Sequence, residues 1–174
     1  MLPKKFYYLL HPRPVYVIGS GSFNNNEINF MAASWVMPVA EDIPSICLAC
    51  DKEQYTYQLI EKYKQFSVNL IDDINLIWKL GTTSGKEINK VKEFNLKVIR
   101  GKILDVPILE NSLAFLEAKV INKIDVVEVA LYIAEVVNYD GKNLDEYGLK
   151  EFWKIPLHKG GKAFVFIDKK LYFV

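Results

Sequence analysis

The alternation of hydrophobic and polar residues along this chain predicts a protein built mainly of β-strands. The longest signal covers residues 113–121 and 126–139, which are rich in β-branched residues and predict a long hairpin that turns at residues 122–125. Shorter strands are predicted over residues 15–19, 27–34, 45–50 and 66–71. A last hairpin is predicted from residues 164–167 and 171–174.

Helical spacing of hydrophobic residues is confined to short segments between these strands. Helices are predicted over residues 54–64, 74–80 and 86–94, and Gly81 is expected to end the second of them. Residues 36–44 are expected to form a loop, and residues 144–156 carry no pattern that assigns a fold. Because strands and helices do not alternate regularly, the sequence favours an antiparallel β-barrel with peripheral helices over a doubly wound sheet. The length of 174 residues fits a single domain.

Charge and composition narrow the possible functions. The 22 basic and 21 acidic residues are interspersed and give a net charge of +1, so no face concentrates the positive charge that nucleic-acid binding needs. Hydrophobic residues make up 51% of the chain, but no apolar run approaches the roughly 20 residues of a membrane span. The first residues lack the apolar core of a signal peptide, which favours a cytoplasmic protein without membrane association.

The stretch of residues 29–35 is the strongest candidate for a ligand site. Ala33 and Ser34 bury little area where a strand that only packs would carry larger side chains, and Trp35 follows them directly. Small residues allow a planar ligand to approach the backbone, with the Ser34 hydroxyl as a hydrogen-bonding partner and the indole as a rigid wall. The alternative is a strand end whose small residues face a bulky neighbour, and spacing alone leaves both readings open.

Two clusters of hydroxyl-bearing and cationic residues suit an anion such as phosphate. Residues 81–86 combine glycines, three hydroxyls and Lys86 just before a predicted helix, although their order is not that of a Walker A loop. A similar group lies between a predicted strand and a predicted helix: Lys52, Gln54, Tyr55 and Thr56. Each cluster taken alone also fits an ordinary helix cap or a solvated turn.

Cysteines and histidines are too few to define a metal or catalytic cluster. Cys47 and Cys50 form a C-x-x-C pattern, but residues three apart on a strand point to opposite faces. Both are therefore assigned to packing rather than to a redox pair or a zinc site. His158 precedes two glycines, and a lone histidine is more often a structural hydrogen-bonder than a catalyst, although it is suited to proton transfer near neutral pH.

Taken together, these residues resemble the flavin reductase-like family of FMN-binding split β-barrel proteins. This family includes flavoredoxins, archaeal ferric reductases and the reductase partners of two-component monooxygenases. The resemblance covers most of the chain and rests on the order and spacing of six segments: residues 13–15, 29–39, 45–57, 66–69, 81–85 and 158–161. It implies one domain over residues 1–174, a mainly β, antiparallel split barrel with short peripheral α-helices.

The resemblance also implies a homodimer that holds one non-covalent FMN per subunit near the interface. The segment that contacts the isoalloxazine ring maps onto five consecutive residues: Met31, Ala32, Ala33, Ser34 and Trp35. The phosphate-binding positions map onto Lys52, Tyr55, Thr56, Thr83, Ser84, Gly85 and, following the pattern less closely, Lys86. The segment around His158 matches a motif near the open face of the flavin, which implies a role in nicotinamide or acceptor binding.

The function implied is that of an NAD(P)H-dependent oxidoreductase of the flavin reductase type. Electrons would pass from NAD(P)H, the co-substrate, through FMN to a small-molecule or protein acceptor. Two other functions stay open: a flavoredoxin-type electron carrier that does not itself oxidise NAD(P)H, and a non-enzymatic β-barrel interaction module. Residues 144–156 depart from the family pattern and leave the acceptor specificity open.

Overall fold

The structure, a computed structural model, describes residues 2–170 and consists mainly of antiparallel strands. The strands within these residues are β1 (Arg13–Pro14), β2 (Tyr16–Ser22), β3 (Glu27–Ala33), β4 (Val36–Ala40), β5 (Ser45–Asp51), β6 (Gln65–Leu70), β7 (Val98–Arg100), β8 (Pro107–Leu109), β9 (Ala114–Val126), β10 (Val129–Gly141), β11 (Leu144–Asp145), β12 (Gly148–Leu149), β13 (Leu157–Gly160) and β14 (Ala163–Val165). The helices are α1 (Tyr55–Tyr63), α2 (Ile74–Thr82) and α3 (Lys90–Glu93), with 3-10 turns at Phe6–Leu10 and Phe152–Lys154. No helix within the described residues is long and apolar enough to cross a membrane.

The largest sheet curls until its two edges come together. Its strand order is β3-β2-β6-β9-β10-β5-β4, so the edge strands β3 and β4 are also neighbours in sequence. Only Ser34 and Trp35 separate them, and the N–H of Ala49 on β5 donates to the Trp35 carbonyl at 3.0 Å. Ala33 on β3 and Val36 on β4 belong to the same core. The predicted antiparallel split β-barrel with short peripheral helices is confirmed.

Strand β3 is enclosed on both faces. Ala33 faces the barrel interior, whereas Phe30 packs on the other side in a second core with Ile77 and Leu80 of α2. This division follows from the two-residue period of a strand, which sends alternate side chains to opposite faces. The end of β3 that carries the small residues is therefore fixed between the barrel and α2.

A buried carboxylate fastens the segment between β7 and β8 to the barrel wall. Glu117 on β9 accepts hydrogen bonds from the N–H groups of Lys102 (2.8 Å), Ile103 (3.0 Å) and Leu104 (2.7 Å) and from the Asn138 amide (2.7 Å). Burial alone would raise the pKa of Glu117, but these hydrogen bonds stabilise its ionised form and hold the pKa below the ordinary value. The charge is therefore paired with donors rather than with a cation.

Most of the strands agree with the sequence patterns. The strands predicted at residues 15–19, 27–34, 45–50 and 66–71 are confirmed as β2, β3, β5 and β6, and the helix predicted over residues 54–64 is confirmed as α1. The loop predicted over residues 36–44 is wrong, because β4 occupies Val36–Ala40. Pro38 is tolerated there because β4 is an edge strand, where one row of N–H groups needs no partner.

The long hairpin is confirmed, but its predicted turn at residues 122–125 is wrong. Strand β9 continues through those residues to Val126, and the chain turns at Val127 and Glu128. Val127 adopts a left-handed conformation with φ of 50°. Two register shifts, at Ile133/Ala134 and at Val136/Asn138, bend the hairpin into the barrel.

The helices after β6 also differ from the prediction. Helix α2 continues through Gly81 to Thr82, and α3 covers only Lys90–Glu93 because the Asn89 side chain caps it by accepting from the Lys92 N–H at 3.1 Å. Near the C-terminus, β14 pairs with β13. Residues 171–174, the second strand of the predicted terminal hairpin, lie outside the described residues.

Candidate functional site

Two cavities meet at the C-terminal end of β3. Both are lined by the same small residues: Ala32, Ala33, Ser34 and Gly81. The first cavity is also lined by Met31, Trp35, Tyr7, Cys50, Gln54 and Val129. The second cavity is also lined by Val15, Ile77, Trp78, Thr82, His158 and Phe164. All five predicted ring-contacting residues therefore line the first cavity.

The two predicted phosphate clusters converge on Asn29. The Asn29 amide donates to the Thr56 hydroxyl at 2.9 Å, and Asn29 is only 3% exposed. Gly85 lies against the same side chain, because a Cβ placed on Gly85 would overlap Asn29 Oδ1 and stand 2.9 Å from Tyr55 Cδ1. These four residues, Asn29, Tyr55, Thr56 and Gly85, are called the Asn29 corner below. Asn29 and Met31 share one face of β3, so the corner lies about 7 Å along the strand from the first cavity.

The first turn of α1 supplies hydrogen-bond donors to the Asn29 corner. Within residues 2–170 the side chain of Gln54, the N-cap residue, makes no capping bond, and only the Tyr57 N–H in the first turn donates to the Gln54 carbonyl, at 3.1 Å. The N–H groups of Tyr55 and Thr56 are therefore left for solvent or a ligand. The positive end of the helix dipole lies at the same point. Burial, and to a lesser extent Glu27, raise the pKa of Tyr55, so the phenol remains a donor. Backbone, hydroxyl and phenol donors around one point favour an anionic ligand group.

Asn29 is a site residue that the sequence patterns do not single out, although it begins the stretch of residues 29–35. Its Oδ1 is buried and has no hydrogen-bond partner among the described residues. Buried amide oxygens normally have a partner. The unpaired oxygen lies beside Gly85, where the two clusters meet.

Two predicted phosphate residues have other contacts. The Lys52 ammonium contacts the Val127 carbonyl at 2.8 Å and Asp125 at 3.0 Å, so it lies at the turn between β9 and β10. Thr83 is the C-cap of α2, where its N–H donates to the Lys79 carbonyl at 3.1 Å. Phosphate binding by these two residues remains a prediction.

Ser84 and Lys86 border the Asn29 corner. The Ser84 hydroxyl accepts from the Lys86 N–H at 3.2 Å, which stabilises the turn that follows α2. The Lys86 side chain is exposed and lines a surface groove together with Tyr55 and Gly85. The cation is therefore placed where it can approach an anion bound at the corner, and its predicted role is retained.

Lys90 is a buried cation that fixes the position of the turn after α2. It is 3% exposed, and its ammonium donates to the Phe30 carbonyl of β3 and to the Leu80 carbonyl of α2, both at 2.8 Å. These bonds tie the end of α2 to β3. Burial lowers the pKa of Lys90 from 10.5 to about 8.

The unfolding free energy should therefore depend on Lys90 at alkaline pH. Below pH 8 the charged ammonium is buried in the folded state at a cost; between pH 8 and 10.5 it is neutral when folded and still charged when unfolded. Stability should rise through this window, by about 1.4 kcal/mol per pH unit at most. Urea unfolding of Lys90→Met at pH 7 and pH 10 should show that this gain has disappeared. Lys92→Met, exposed on the same helix, should retain it; equal pH dependence in both variants would contradict the assignment.

His158 belongs to the second cavity. It lines that cavity together with Ser34 and Trp78, and its Nε2 lies 3.0 Å from the Gly161 carbonyl. Its predicted location near the open face of the flavin and its role in binding nicotinamide or an acceptor both remain predictions.

The packing role assigned to the two cysteines is confirmed. Cys47 and Cys50 are free, buried thiols on β5, 6% and 1% exposed. Burial, with a smaller contribution from Asp51, raises the pKa of Cys50 to about 12, so its thiolate is strongly disfavoured.

Comparisons with known proteins agree with this geometry. Residues 8–156 match the family described as the flavin reductase like domain. An uncharacterised protein of Pyrococcus abyssi is 29% identical over 170 residues, spanning 95% of this chain and 96% of its own. An FMN-binding protein from Thermus thermophilus with bound 1-cyclohex-2-enone has a TM-score of 0.88 and 22% identity, covering 100% of this chain and 97% of that chain. Flavoredoxin of Desulfovibrio vulgaris (Miyazaki F) has a TM-score of 0.83 and 21% identity, covering 94% and 91%. At these identities the two structures establish the fold.

Proposed function

Because the chain belongs to the flavin reductase like family, we propose that it binds FMN non-covalently and passes electrons from NAD(P)H to a small acceptor. The observation that supports this most directly is the convergence of the two hydroxyl clusters on Asn29, next to a strand of small residues that ends in Trp35. A phosphorylated planar ligand needs both features at once.

The residues present fit FMN at each end. The Asn29 corner offers the Thr56 hydroxyl and N–H groups at the start of α1 as donors to a phosphate, and the unpaired Asn29 Oδ1 as an acceptor for a hydroxyl of the polyol chain. Ala32 and Ala33 leave room for a flat ring, and Trp35 stands beside it. When bound, FMN supplies the hydride and electron chemistry. The protein fixes the orientation of the ring, and Ser34 offers a hydroxyl at its edge.

The second cavity favours a small acceptor. Its volume is about 200 Å³, below the range of pockets that hold drug-sized ligands. Its walls combine the apolar side chains of Ile77, Trp78 and Phe164 with the hydroxyl of Ser34 and the imidazole of His158. This lining suits a flat, mainly apolar molecule with one hydrogen-bonding oxygen. The Thermus protein of the same fold holds 1-cyclohex-2-enone, a molecule of this kind.

Absorbance and native mass spectrometry of the purified protein test the proposal. We expect one FMN per chain, either copurified or taken up on titration, and bleaching of the flavin absorbance on stopped-flow mixing with NADH or NADPH. An unchanged FMN spectrum on titration would reject the flavin site. Bound FMN that stays oxidised with both nucleotides would instead favour the flavoredoxin-type carrier. Absence of flavin together with a co-purifying protein would favour an interaction module.

The phosphate assignment predicts a selective loss of affinity. Replacing Thr56 with valine and Ser84 with alanine removes two hydroxyl groups at the Asn29 corner and its border. Because hydrogen bonds to a charged group are worth about 1.5–3 kcal/mol each, FMN binding should weaken roughly 100-fold, and riboflavin binding should change little. Fluorescence titration with both flavins measures the difference. Thr82→Val, a neighbouring hydroxyl bonded to the Trp78 carbonyl, is the control; equal losses for FMN and riboflavin would refute the assignment.

A homodimer is proposed on the basis of exposed apolar side chains. Met37 on β4 is 53% exposed, and Ile121 and Ile124 on β9 are 51% and 49% exposed. The three side chains belong to strands of one sheet, and exposed apolar surface of this kind suits an interface between two copies of the chain. Light scattering after size-exclusion chromatography should give twice the mass of the chain; a monomer at micromolar concentration would contradict the proposal.

A further inference from the structure

The chain contains two histidines, and the fold places them side by side. His158 on β13 is the register partner of Arg13 on β1, and His11 comes two residues before Arg13. The ring centroids of His11 and His158 are 5.2 Å apart, with an interplanar angle of 62°. Nothing in the sequence spacing predicts this pair, because the 146 residues 12–157 lie between its members.

The His158 ring is held in a defined orientation. Its Nε2 lies 3.0 Å from the Gly161 carbonyl, and a carbonyl oxygen only accepts, so Nε2 carries a proton. Nδ1 is therefore the atom that gains or loses a proton. Phe164 packs on His158 with a centroid distance of 5.5 Å, and the ring lines the second cavity. A proton on this ring lies at the wall of the cavity.

The His11 ring is in a different environment. Both of its nitrogens are buried and have no hydrogen-bond partner within residues 2–170. The rings of Tyr7 and Tyr8, from the first 3-10 turn, lie 5.9 and 5.7 Å away. Burial and then the charge of His158 lower the pKa of His11; the backbone groups of His158 and Lys159 oppose this shift without cancelling it.

The groups that face the pair carry no negative charge in this part of the structure. On the first 3-10 turn they are Tyr7 and Tyr8, on β1 Arg13, and on β13 and β14 the Lys159 backbone and Phe164. A second imidazolium would therefore be placed beside two cations with no carboxylate to compensate it. Two titratable groups this close behave as one unit whose protons bind in separate steps.

We propose that His11 is a positioning residue for His158: the pair binds a single proton, and that proton is on His158 at the cavity wall. His11 stays neutral and keeps the neighbouring ring packed without competing for the proton. The inference deepens the proposed function, because an acceptor oxygen in the second cavity could then take one proton from His158 Nδ1, which regains one from water. Such a proton is needed when an acceptor receives a hydride.

Imidazole NMR of the full-length protein, titrated from pH 8 to pH 4, tests this directly, because two histidines give two sets of ring signals. In the unsubstituted protein, the His11 signal should titrate below the range of an unperturbed histidine, because burial and the neighbouring ring disfavour its charged form. In His158→Phe, which keeps a ring and removes the charge, His11 should become protonated about 1 pH unit higher. Phe164→Leu changes the packing of His158 without a charge and should leave the titration of His11 where it was.

Two results would overturn the pairing. One is protonation of His11 within the ordinary range of an unperturbed histidine in the unsubstituted protein, a measurement that needs no variant to fold. The other is an unchanged His11 titration in a folded His158→Phe variant. FMN absorbance of the same samples separates this inference from the proposed function. If the histidines titrate independently but FMN binds, only the pairing is wrong. If the histidines titrate as a pair but FMN does not bind, only the flavin site is wrong.

Discussion

Replacing Gly85 with alanine should weaken FMN binding about 100-fold, which corresponds to roughly 2.8 kcal/mol. Gly85 has no left-handed backbone angle, so alanine is conformationally permitted there, and the effect is steric. The new methyl group would overlap Asn29 Oδ1 and stand 2.9 Å from both Asn29 Cγ and Tyr55 Cδ1. Asn29 is short, buried and bonded to Thr56, so it cannot move aside without breaking the corner. Isothermal titration with FMN and riboflavin gives the loss for each ligand.

Gly81→Ala is the matched control for this substitution. Gly81 lies at the end of α2, and the nearest atom to a Cβ placed there is the Ala32 Cβ at 3.1 Å, a side chain in looser contact. We expect a loss of less than about 10-fold, shared equally by FMN and riboflavin because the contact is near the ring rather than the phosphate. If the two alanine variants had the same effect, Gly85 would not be part of a phosphate site.

The fold was accessible from sequence wherever local periodicity and tertiary packing agree. Strand β5 is a continuous apolar run, as a strand buried on both faces requires, and α1 has its hydrophobic residues on one helical face. Strand β4 is not predicted by these patterns, because it is an exposed edge strand that contains a proline. Its pairing with β5 is set by barrel closure. The strand pattern and the family resemblance both favour a barrel, but residue spacing does not indicate which strands form its edges.

The turn of the long hairpin shows how barrel closure overrides local preference. Asn122 and Asp125 are common turn residues, whereas Val127 is β-branched and unfavourable at a positive φ. Yet β10 pairs with β5 from Val129 to Glu135 and with β9 on its other side, so the two ladders together set where the hairpin can reverse. Both strand pairings of β10 are kept, and Val127 adopts a strained backbone conformation as a result.

Residue patterns predict the two clusters separately and the family resemblance assigns both to one phosphate, but neither predicts the contact through Asn29 that joins them. Tyr55, Thr56 and Gly85 carry recognisable chemistry, because hydroxyls and glycines at helix ends suit anions. Asn29 and Lys90 do not, since an asparagine in a strand and a lysine in a helix have no distinctive spacing. Their roles follow from contacts across 27 and 60 residues of sequence, to Thr56 and to the Phe30 carbonyl. The pair of His11 and His158 was hidden for the same reason.

Replacing Glu117 with alanine should lower the unfolding free energy by about 4 kcal/mol, because three backbone N–H groups and the Asn138 amide would lose their acceptor inside the protein. The pKa of Glu117 is held below its ordinary value. Its contribution is therefore fully present above the unfolded-state pKa and is lost as the pH falls through the lower folded-state pKa.

Urea unfolding at pH 7 and at pH 3 should therefore show a large difference between Glu117→Ala and the unsubstituted protein at pH 7 and a smaller one at pH 3. Glu41→Ala, an exposed carboxylate in the turn before β5, should change stability by less than about 0.5 kcal/mol at both values. Glu117→Gln separates charge from shape: the amide retains one acceptor oxygen but directs two hydrogens at groups that are already donors. It should recover little of the loss, and full recovery would show that the carboxylate charge is not what holds residues 102–104 to the barrel.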